Sequence, residues 1–394
     1  MYSILNRCSV DVNPSRSYAG NVDFPYASLR RFPDVEAPNL QAWDATDELL
    51  VRQALAADVA GSEVAVIGDE YGAITLALAD AGHRSIRVHQ DLATGRQALA
   101  RNAAQLGLDG FVQHELGESL LAGARLVLLQ LPKSLAELEE IADAVTRWAA
   151  PDVTLIAGGR VKHMTLAQNE VVGRSFEIVQ PQRAERKSRL ILAFGPRETP
   201  VAPPYPVSAV VEAPGAGPIV LVAHGGAFAG AKLDIGTRVL LEVLETVQPP
   251  APTVVDLGCG TGALAVAYAL ARPESRVIAT DRSAAAVASA RATMVANGVH
   301  DRVTVTHDDA GSEIPDRSAD LVLLNPPFHL GASIHTGAAT RLFEAAARLL
   351  RSGGELLTVY NSHLGYRKDL VRRMGPTEQL HRTPKFTVTR SIRR

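Results

Sequence analysis

The chain has 394 residues, of which 46% are hydrophobic and 21% charged, and its formal net charge at pH 7 is −2. A chain of this length is expected to form two or three domains with ample cores, and no apolar run reaches transmembrane length. There is no signal-peptide pattern, and only Cys8 and Cys259 are cysteines, which excludes a disulfide-stapled secreted protein. These features predict a cytoplasmic protein with no membrane partner.

The first half of the chain, residues 1–194, alternates short apolar runs with helical patterns, which predicts a doubly wound α/β domain with a mostly parallel sheet. Residues 195–206 read Gly-Pro-Arg-Glu-Thr-Pro-Val-Ala-Pro-Pro-Tyr-Pro and predict a stiff, extended linker. Residues 207–394 return to the alternation of strands and helices. The sequence therefore predicts two tandem domains of one fold class.

The second domain opens with a predicted hairpin, because residues 207–212 and 219–222 flank the turn Pro214-Gly-Ala-Gly217. A helix is predicted over about residues 233–246. The next strand then runs into a glycine-rich loop.

The glycine-rich loop lies in the stretch Val254-Val-Asp-Leu-Gly-Cys-Gly-Thr-Gly-Ala-Leu-Ala265. Glycines at this place let the backbone approach a ligand closely, and the helix that follows offers unpaired N–H groups. The dinucleotide fingerprint G-x-G-x-x-G is not met, because residue 263 is alanine. The candidate ligand-binding residues of this stretch are Asp256, Gly258, Gly260 and Gly262.

Acidic residues end the next two predicted strands. Asp281 closes the strand over residues 276–281 and is followed by Arg282. A carboxylate at the end of the second strand can hold a ribose diol. The third strand, residues 303–307, ends at Asp308 and Asp309, which are placed to contact an adenine. Any one of these acids could equally cap a helix, so it is their order along successive strands that indicates a nucleotide-type ligand.

The fourth predicted strand ends at the motif Asn325-Pro-Pro-Phe328. Pro326 and Pro327 have a fixed φ and no N–H, so the chain leaves the sheet in one rigid direction. The Asn325 amide oxygen and the Pro326 carbonyl are then available as hydrogen-bond acceptors, and Phe328 adds a flat apolar plate. Acceptors beside an aromatic ring suit a planar group with an exocyclic NH2, such as a nucleobase.

The remaining elements are predicted as a helix near residues 336–350, a turn at Gly353-Gly354, a strand to Tyr360, a helix to Met374 and a strand over 386–392. Basic side chains are concentrated in the last thirty residues, although the chain as a whole is slightly acidic. Phosphate binding depends on such local fields. The tail is therefore a predicted RNA-binding surface, with a solvated helix face as the alternative; its candidate residues are Arg372, Arg373, Arg382 and Lys385.

The two halves resemble each other when the first is shifted by about 190 residues. The stretch Glu63-Val-Ala-Val-Ile-Gly-Asp-Glu-Tyr-Gly-Ala73 then aligns with the glycine loop, and Asp91 aligns with Asp281. Gly260 is replaced by Glu70, whose side chain and charge would crowd a bound ligand, and the Asn-Pro-Pro-Phe motif becomes Gln130-Leu-Pro-Lys133. The first half is therefore predicted to be a degenerate duplicate that has lost its chemistry.

The chain resembles the two-domain ribosomal RNA guanine-N2 methyltransferases, which are class I S-adenosylmethionine-dependent enzymes with a Rossmann-like fold. The matching stretches cover nearly the whole chain and are Leu40-Gln-Ala-Trp-Asp-Ala45, Leu131-Pro-Lys-Ser-Leu135, Gly226-Ala-Phe-Ala-Gly-Ala-Lys-Leu-Asp-Ile-Gly236, the glycine loop, Asn325-Pro-Pro-Phe-His329, Ser352-Gly-Gly-Glu-Leu356, Tyr360-Asn-Ser-His-Leu364 and Pro384-Lys-Phe386. The first-half phrases are closer to the large-subunit (23S) enzymes than to the small-subunit (16S) ones.

The resemblance implies S-adenosylmethionine as cofactor and ribosomal RNA as partner. The histidines are scattered and the two cysteines lack metal-ligand spacing, so no metal is expected, and the chain is expected to be a monomer. The resemblance places Phe228 over the cofactor pocket and gives the first half a role in positioning RNA or supporting the active half. Asn325 and Pro326 would hold the amine, while Phe328 would stack on a flipped base. The family also matches His329, Asn361 and Lys385 near the pocket, but the sequence gives them no defined role.

Three alternatives remain beside 23S rRNA methylation. A 16S rRNA enzyme would carry the same motifs, and protein glutamine or DNA adenine methylation poses the same chemical problem of a weakly nucleophilic amine. Glutamine enzymes typically have tyrosine after the prolines and an N-terminal helical domain, whereas this chain has Phe328 and a degenerate duplicate. A non-enzymatic RNA-binding protein would be expected to lose Asp281 or Asn325, and both are present.

Overall fold

The computed structural model describes residues 23–246, 250–326 and 332–394, and for residues 332–338 it describes the backbone alone. The chain divides into two compact units, Met1–Pro204 and Tyr205–Arg394.

The first unit contains six α-helices and seven strands within its described part. In chain order these are α1 (Ala45–Ala56), β1 (Val64–Ile67), α2 (Ala73–Asp80), β2 (Ile86–His89), α3 (Ala93–Leu106), β3 (Phe111–Gln113), α4 (Glu118–Leu121), β4 (Leu126–Gln130), α5 (Leu135–Trp148), β5 (Thr154–Arg160), α6 (Leu166–Ser175), β6 (Phe176–Pro181) and β7 (Ser188–Pro196). Short 3-10 helices lie at Tyr26–Ser28, Gly61–Glu63 and Val161–His163.

The second unit has a two-stranded hairpin in front of a sheet of the same kind. Its elements are β8 (Val207–Ala213), β9 (Gly217–Ala223), α7 (Ile235–Leu244), β10 (Thr253–Leu257), α8 (Ala263–Ala271), β11 (Arg276–Asp281), α9 (Ala284–Ala296), β12 (Val303–His307), β13 (Ala319–Leu324), α10 (Ala332–Leu349), β14 (Leu350–Asn361), α11 (Arg367–Arg373), β15 (Thr377–Arg382) and β16 (Phe386–Ile392), with a 3-10 helix at Ser362–Leu364.

The two seven-stranded sheets have the same strand order. It is β3-β2-β1-β4-β5-β7-β6 in the first unit and β12-β11-β10-β13-β14-β16-β15 in the second. In each sheet the first five strands are parallel, the sixth is antiparallel to the fifth, and the seventh is antiparallel to the sixth. This confirms the predicted fold class of two tandem Rossmann-like sheets, and a shared order of seven strands is what a duplication predicts.

The central strands are apolar because helices cover both faces of each sheet. Residues Val254–Leu257 of β10 are all buried, and β13 buries five of its six residues. Their side chains divide between two clusters, with Val254 and Leu323 on one face and Val255 and Val322 on the other. Alternate residues of one strand thus pack into the hydrophobic cores on opposite faces of the sheet.

The hairpin strand β9 is fastened to the second unit by polar side chains of α9 and its C-terminal cap. Ser289, Thr293 and Asn297 lie at intervals of four residues and so share one face of the helix. They accept hydrogen bonds from the backbone N–H groups of His224 (2.9 Å), Val222 (3.0 Å) and Val220 (2.9 Å). The helix thereby satisfies edge-strand donors that no strand pairs on that side, and it fixes the start of the loop that carries Phe228.

The predicted boundaries agree with most observed elements. The hairpin, α7, the strand β11 and the strand β16 lie where the sequence places them. Two predictions differ. Gly353-Gly354 lies inside the long strand β14, because Gly353 N–H donates to Arg393 O (2.8 Å) and keeps the chain in the sheet. The predicted linker over 195–206 is shorter at its start, because β7 continues to Pro196 by pairing with β6.

Candidate functional site

The glycine loop connects β10 to α8 and has a left-handed backbone at each of its three glycines. The φ angles are 79° at Gly258, 55° at Gly260 and 80° at Gly262. A Cβ atom added to either of the first two would meet no described atom within 4 Å, whereas one at Gly262 would lie 2.6 Å from Met294 Cε. The first two glycines therefore border open space in which a ligand fits against the backbone, and the third lets α8 pack against α9.

Asp281 at the end of β11 is joined to this loop by hydrogen bonds. Its two carboxylate oxygens accept the backbone N–H groups of Gly260 (2.9 Å) and Ser283 (2.9 Å). Thr280 O in turn accepts from Gly258 N and Cys259 N, at 2.8 and 3.0 Å. The loop and the carboxylate are therefore fixed relative to each other before any ligand binds. An acceptor held beside a glycine cradle is suited to a diol.

Asp256 lies beneath the loop. Its side chain is buried and accepts the backbone N–H of Ala265 in the first turn of α8 (3.0 Å). Burial raises the pKa of this carboxyl to about 7; the charge of Asp281 adds to the rise, while the hydrogen bond from Ala265 opposes it. Asp256 therefore anchors the helix start that follows the loop.

The two acids after β12 have different surroundings. Asp308 accepts hydrogen bonds from Ser312 Oγ (2.5 Å) and from Glu313 N–H (2.8 Å), so it holds the turn that follows it. Asp309 forms an ion pair with Arg341 of α10. Burial raises the pKa of Asp309, and the neighbouring Arg341 and Arg282 guanidinium groups counteract this. Of the two predicted adenine contacts, Asp308 is thus committed to the local turn.

Asn325, the first residue after β13, has its amide orientation fixed on one side. Its Nδ2 donates to Asp234 Oδ2 (3.1 Å) and to Thr237 Oγ1 (3.0 Å) at the start of α7. Its Oδ1 is buried and has no hydrogen-bond partner among the described residues. A buried acceptor without a partner is costly, so this oxygen is the atom that a substrate N–H would satisfy.

The other members of the Asn-Pro-Pro-Phe motif are only partly described. Pro326 is buried, and the hydroxyl of Thr358 holds the strand end by donating to Leu324 O (3.0 Å). Pro327, Phe328 and His329 lie outside the described residues. Their proposed roles remain predictions.

Two further predicted residues lie at or after strand ends of the second unit. Phe228, in the loop after β9, has 58% of its surface exposed, which leaves its ring accessible to a ligand. Asn361 ends β14 and, like Asn325, has a buried Oδ1 with no partner among the described residues.

Asp234 and Thr237 are the site residues that sequence reasoning missed. Asp234 caps α7 by accepting the N–H groups of Gly236 and Thr237, at 2.9 and 3.2 Å. An aspartate followed by helix-forming residues indicates a cap, and nothing in the local sequence indicates that the cap also binds an amide 91 residues away.

The predicted RNA-binding residues separate into two groups. Arg382 and Lys385 are exposed on either side of the turn between β15 and β16, at the edge where Phe386 pairs with Asn361. Arg372 and Arg373 end α11, where Met374 O accepts from Arg394 N, beyond the far end of β16. Only the first pair therefore lies at the sheet edge that carries Asn325.

Arg372 and Arg373 are also neutralised by neighbouring acids. Arg372 pairs with Asp369 (2.6 Å), and Arg373 pairs with Glu344 on α10. The side chain of Arg373 is only 20% exposed and lines a surface cleft with Arg393 and Asp316.

No group of three or more His, Cys, Asp or Glu side chains that could hold a metal ion is found within residues 23–246, 250–326 and 332–394. None of the helices in those ranges is both long and apolar enough to cross a membrane.

The chain matches two protein-family models. The methyltransferase small domain matches residues 218–390, and the RLMG N-terminal domain matches residues 20–198. It is 36% identical over 375 residues to ribosomal RNA large subunit methyltransferase G of Streptomyces avermitilis, which covers 93% of this chain and 97% of that protein. The protein of that name from Pseudomonas putida is 35% identical over 93% of this chain and 98% of its own length.

A solved structure shares the fold over most of both chains. It is the 16S rRNA N2 methyltransferase of T. thermophilus in complex with AdoMet and guanosine, with a TM-score of 0.74 over 89% of this chain and 92% of that one. At 23% sequence identity, this likeness shows the two-unit architecture.

Proposed function

Because this chain belongs to the ribosomal RNA large subunit methyltransferase G family, we propose that it transfers a methyl group from S-adenosylmethionine to the exocyclic N2 amine of a guanine in 23S ribosomal RNA. The observation that supports this most directly is the buried Oδ1 of Asn325, which has no hydrogen-bond partner among the described residues and lies at the sheet edge that also carries the glycine loop and Asp281.

The residues of the second unit fit such a cofactor. The open space at Gly258 and Gly260 admits its amino-acid part against the backbone, and Asp281 presents carboxylate oxygens to its ribose. When bound, S-adenosylmethionine supplies a methyl group on a sulfonium; the sulfur keeps the C–S electron pair as the N–C bond forms, and the amine proton passes to solvent.

Asn325 and Pro326 would orient the amine. The lone pair of an aromatic amine is delocalised, so the nitrogen is a poor nucleophile until its N–H bonds are held. Acceptance of those N–H groups by Asn325 Oδ1 and the Pro326 carbonyl would direct the lone pair toward the methyl group. Phe328 would stack on the flipped base, which contributes about 1–3 kcal/mol.

The first unit has a different proposed task. Glu70 stands where the second unit has Gly260, so we propose that residues 1–194 help to position RNA or support the catalytic unit over residues 207–394, rather than bind cofactor. We also propose that the protein acts in the cytoplasm, where ribosomal RNA is assembled, and as a monomer, which size-exclusion chromatography with light scattering would test.

The proposed reaction is tested with undermethylated 23S rRNA, 16S rRNA and labelled S-adenosylmethionine, followed by mapping of the modified base. We expect label at guanine N2 in 23S rRNA alone. Label in 16S rRNA alone, or at adenine, would contradict the proposal.

Asn325→Ala tests the site within the same assay. We expect kcat to fall by about 10²–10³, because a positioned acceptor is lost at the reacting group. Cofactor affinity should be retained, and RNA affinity should fall little because phosphate contacts dominate it. Asn169→Ala is the matched control, since Asn169 also has a buried Oδ1 with no partner among the described residues but lies on α6 of the first unit. Near-wild-type transfer by Asn325→Ala would show that another site holds the amine.

A further inference from the structure

The orientation of the Asn325 amide is decided by charge. Asp234 Oδ2 is a carboxylate oxygen and can only accept hydrogen bonds, so the group that faces it at 3.1 Å must be the Nδ2 donor. Thr237 Oγ1 accepts the second Nδ2 hydrogen at 3.0 Å. Both amide hydrogens are therefore used, and the oxygen has no hydrogen-bond partner in the part of the chain that the structure describes.

Asp234 is itself held rigidly. As the N-cap of α7, its Oδ2 also accepts the N–H groups of Gly236 and Thr237, so its position follows from the helix start. Gly236 leaves space for the amide, because a Cβ there would lie 3.3 Å from Asn325 Oδ1 and 3.0 Å from Asp234 Oδ2. The start of α7 and the residue that follows β13 are thus held together by hydrogen bonds.

We propose that Asp234 and Thr237 are positioning residues that hold the Asn325 carboxamide with its oxygen, rather than its nitrogen, presented to the reacting amine. This inference rests on the proposed methyl transfer. An amide turned by 180° would present NH2 to the NH2 group of guanine, and two donors cannot form a hydrogen bond. Without the carboxylate, the two orientations of the amide would differ little in energy.

The first unit contains a related contact between a strand end and a helix start. Gln130 is the last residue of β4, and Asn325 is the first residue after β13. The Nε2 of Gln130 donates to Asp47 Oδ1 (2.5 Å) at the third position of α1. Thr237 occupies that same third position in α7. In both units an amide donor thus binds the start of the first α-helix, so this contact is a property of the fold. In the second unit the amide also has an acceptor oxygen with no partner among the described residues.

The experiment is a double-mutant cycle on the full chain, with Asp234→Asn, Asn325→Ala and their combination. Asparagine caps a helix about as well as aspartate, so α7 should be preserved while the carboxylate is lost. Methyl transfer to 23S rRNA is measured as kcat and KM, cofactor affinity by calorimetry and stability by thermal melting.

We expect Asp234→Asn to lower kcat by about 10–100-fold, the usual effect of removing a group that orients a functional side chain. KM for RNA, cofactor affinity and melting temperature should stay near the wild-type values. In the Asn325→Ala background, Asp234→Asn should cause no further loss of kcat, because the side chain it orients is absent. Asp44→Asn, which alters the N-cap of α1 in the first unit, is the matched control and should leave kcat unchanged.

Thr237→Val provides a second variant if Asp234→Asn does not fold. It keeps the shape of the side chain and removes one acceptor, so kcat should fall by about tenfold, again only when Asn325 is present. Equal losses of kcat with and without Asn325, or a lowered melting temperature with wild-type kcat, would overturn the inference. The contact of Asp234 and Thr237 with Asn325 would then have a structural role alone. A wild-type protein that methylates no 23S rRNA would overturn the proposed function itself, and the inference with it.

Discussion

Asp256 and Asp69 show how one task is carried by different residues in the two units. Asp256 Oδ2 accepts the N–H of Ala265, the third residue of α8, and Asp69 Oδ2 accepts the N–H of Thr75, the third residue of α2. The first unit has valine where the second has Asp256, and its capping carboxylate comes from the loop instead. A carboxylate at this helix start is therefore maintained even where the glycine cradle is not, which identifies it as a structural requirement.

The raised pKa of Asp256 predicts a pH dependence of stability. The folded pKa is about 7 and the ordinary value is 3.8, so the folded chain binds this proton more tightly than the unfolded chain. The associated stability is fully present below about pH 4 and is lost as the pH rises through 7. In the wild type this should lower the free energy of unfolding by up to a few kcal/mol, at about 1.36 kcal/mol per pKa unit. Asp256→Asn should remove this pH dependence, because asparagine does not titrate.

Denaturant unfolding of the full chain between pH 4 and 8 measures this effect. The curve for Asp256→Asn should be flatter than that of the wild type. Asp109→Asn, at a carboxylate that is 91% exposed, should change nothing. An Asp256→Asn curve that keeps the wild-type slope would place the titration elsewhere.

In the second unit the central strands could be predicted from sequence, and the edge strand β15 could not. Strands β10, β11 and β13 are apolar runs ending in Leu257, Asp281 and Leu324, and burial on both faces gives them an unambiguous pattern. Strand β15 was missed because four of its six residues are exposed polar or charged side chains. It is a strand because it pairs with β16, which local sequence does not reveal.

The candidate site divides in the same way. Asp281 and Asn325 could be predicted because Asp281 ends β11 and Asn325 directly follows β13, and parallel strands bring their carboxyl ends to one edge. The bonds from Asn325 to Asp234 and Thr237 join positions 91 and 88 residues apart, so they depend on the packing of α7 against β14 and β16. Such a contact has no signature in either local sequence.

The turn of the β15–β16 hairpin carries two exposed basic side chains. Arg382 and Lys385 are exposed beside the sheet edge that carries Asn325, so Arg382→Glu with Lys385→Glu should weaken RNA binding. The slope of the logarithm of the RNA binding constant against the logarithm of salt concentration should fall in magnitude by about one per lost phosphate contact. Arg372→Glu with Arg373→Glu, at the other end of β16, should have the smaller effect, because these side chains already pair with Asp369 and Glu344.

Filter binding at several salt concentrations measures both pairs, and calorimetry should give an unchanged cofactor affinity for each. If the salt dependence of RNA binding fell more in the Arg372→Glu, Arg373→Glu variant, the RNA would instead be expected to run along α11.

At the scale of the whole molecule, the first unit keeps the sheet and changes the loop. Gly68 and Gly72 retain positive φ angles of 80° and 91°, and a Cβ at Gly72 would lie 2.5 Å from Leu99 Cδ1, much as one at Gly262 would meet Met294. The glycines needed for folding the turn and packing the helix are thus present. The middle glycine is replaced by Glu70, an exposed residue whose carboxyl still has a raised pKa, chiefly because neighbouring protein atoms remove part of its hydration.

This contrast predicts one cofactor site per chain. Calorimetry of the full-length protein with S-adenosylmethionine should give a stoichiometry of one. Gly260→Glu, which gives the second loop the residue of the first, should abolish binding, because the side chain fills the open space at Gly260 and its charge opposes the carboxylate of the ligand. Glu70→Gly is the matched reciprocal change and should leave the stoichiometry at one, since Val66 and Tyr71 still differ from their counterparts Asp256 and Thr261. A stoichiometry of two in the wild type, or binding that survives Gly260→Glu and disappears in Glu70→Gly, would place the cofactor in the first unit and reverse the roles of the two halves.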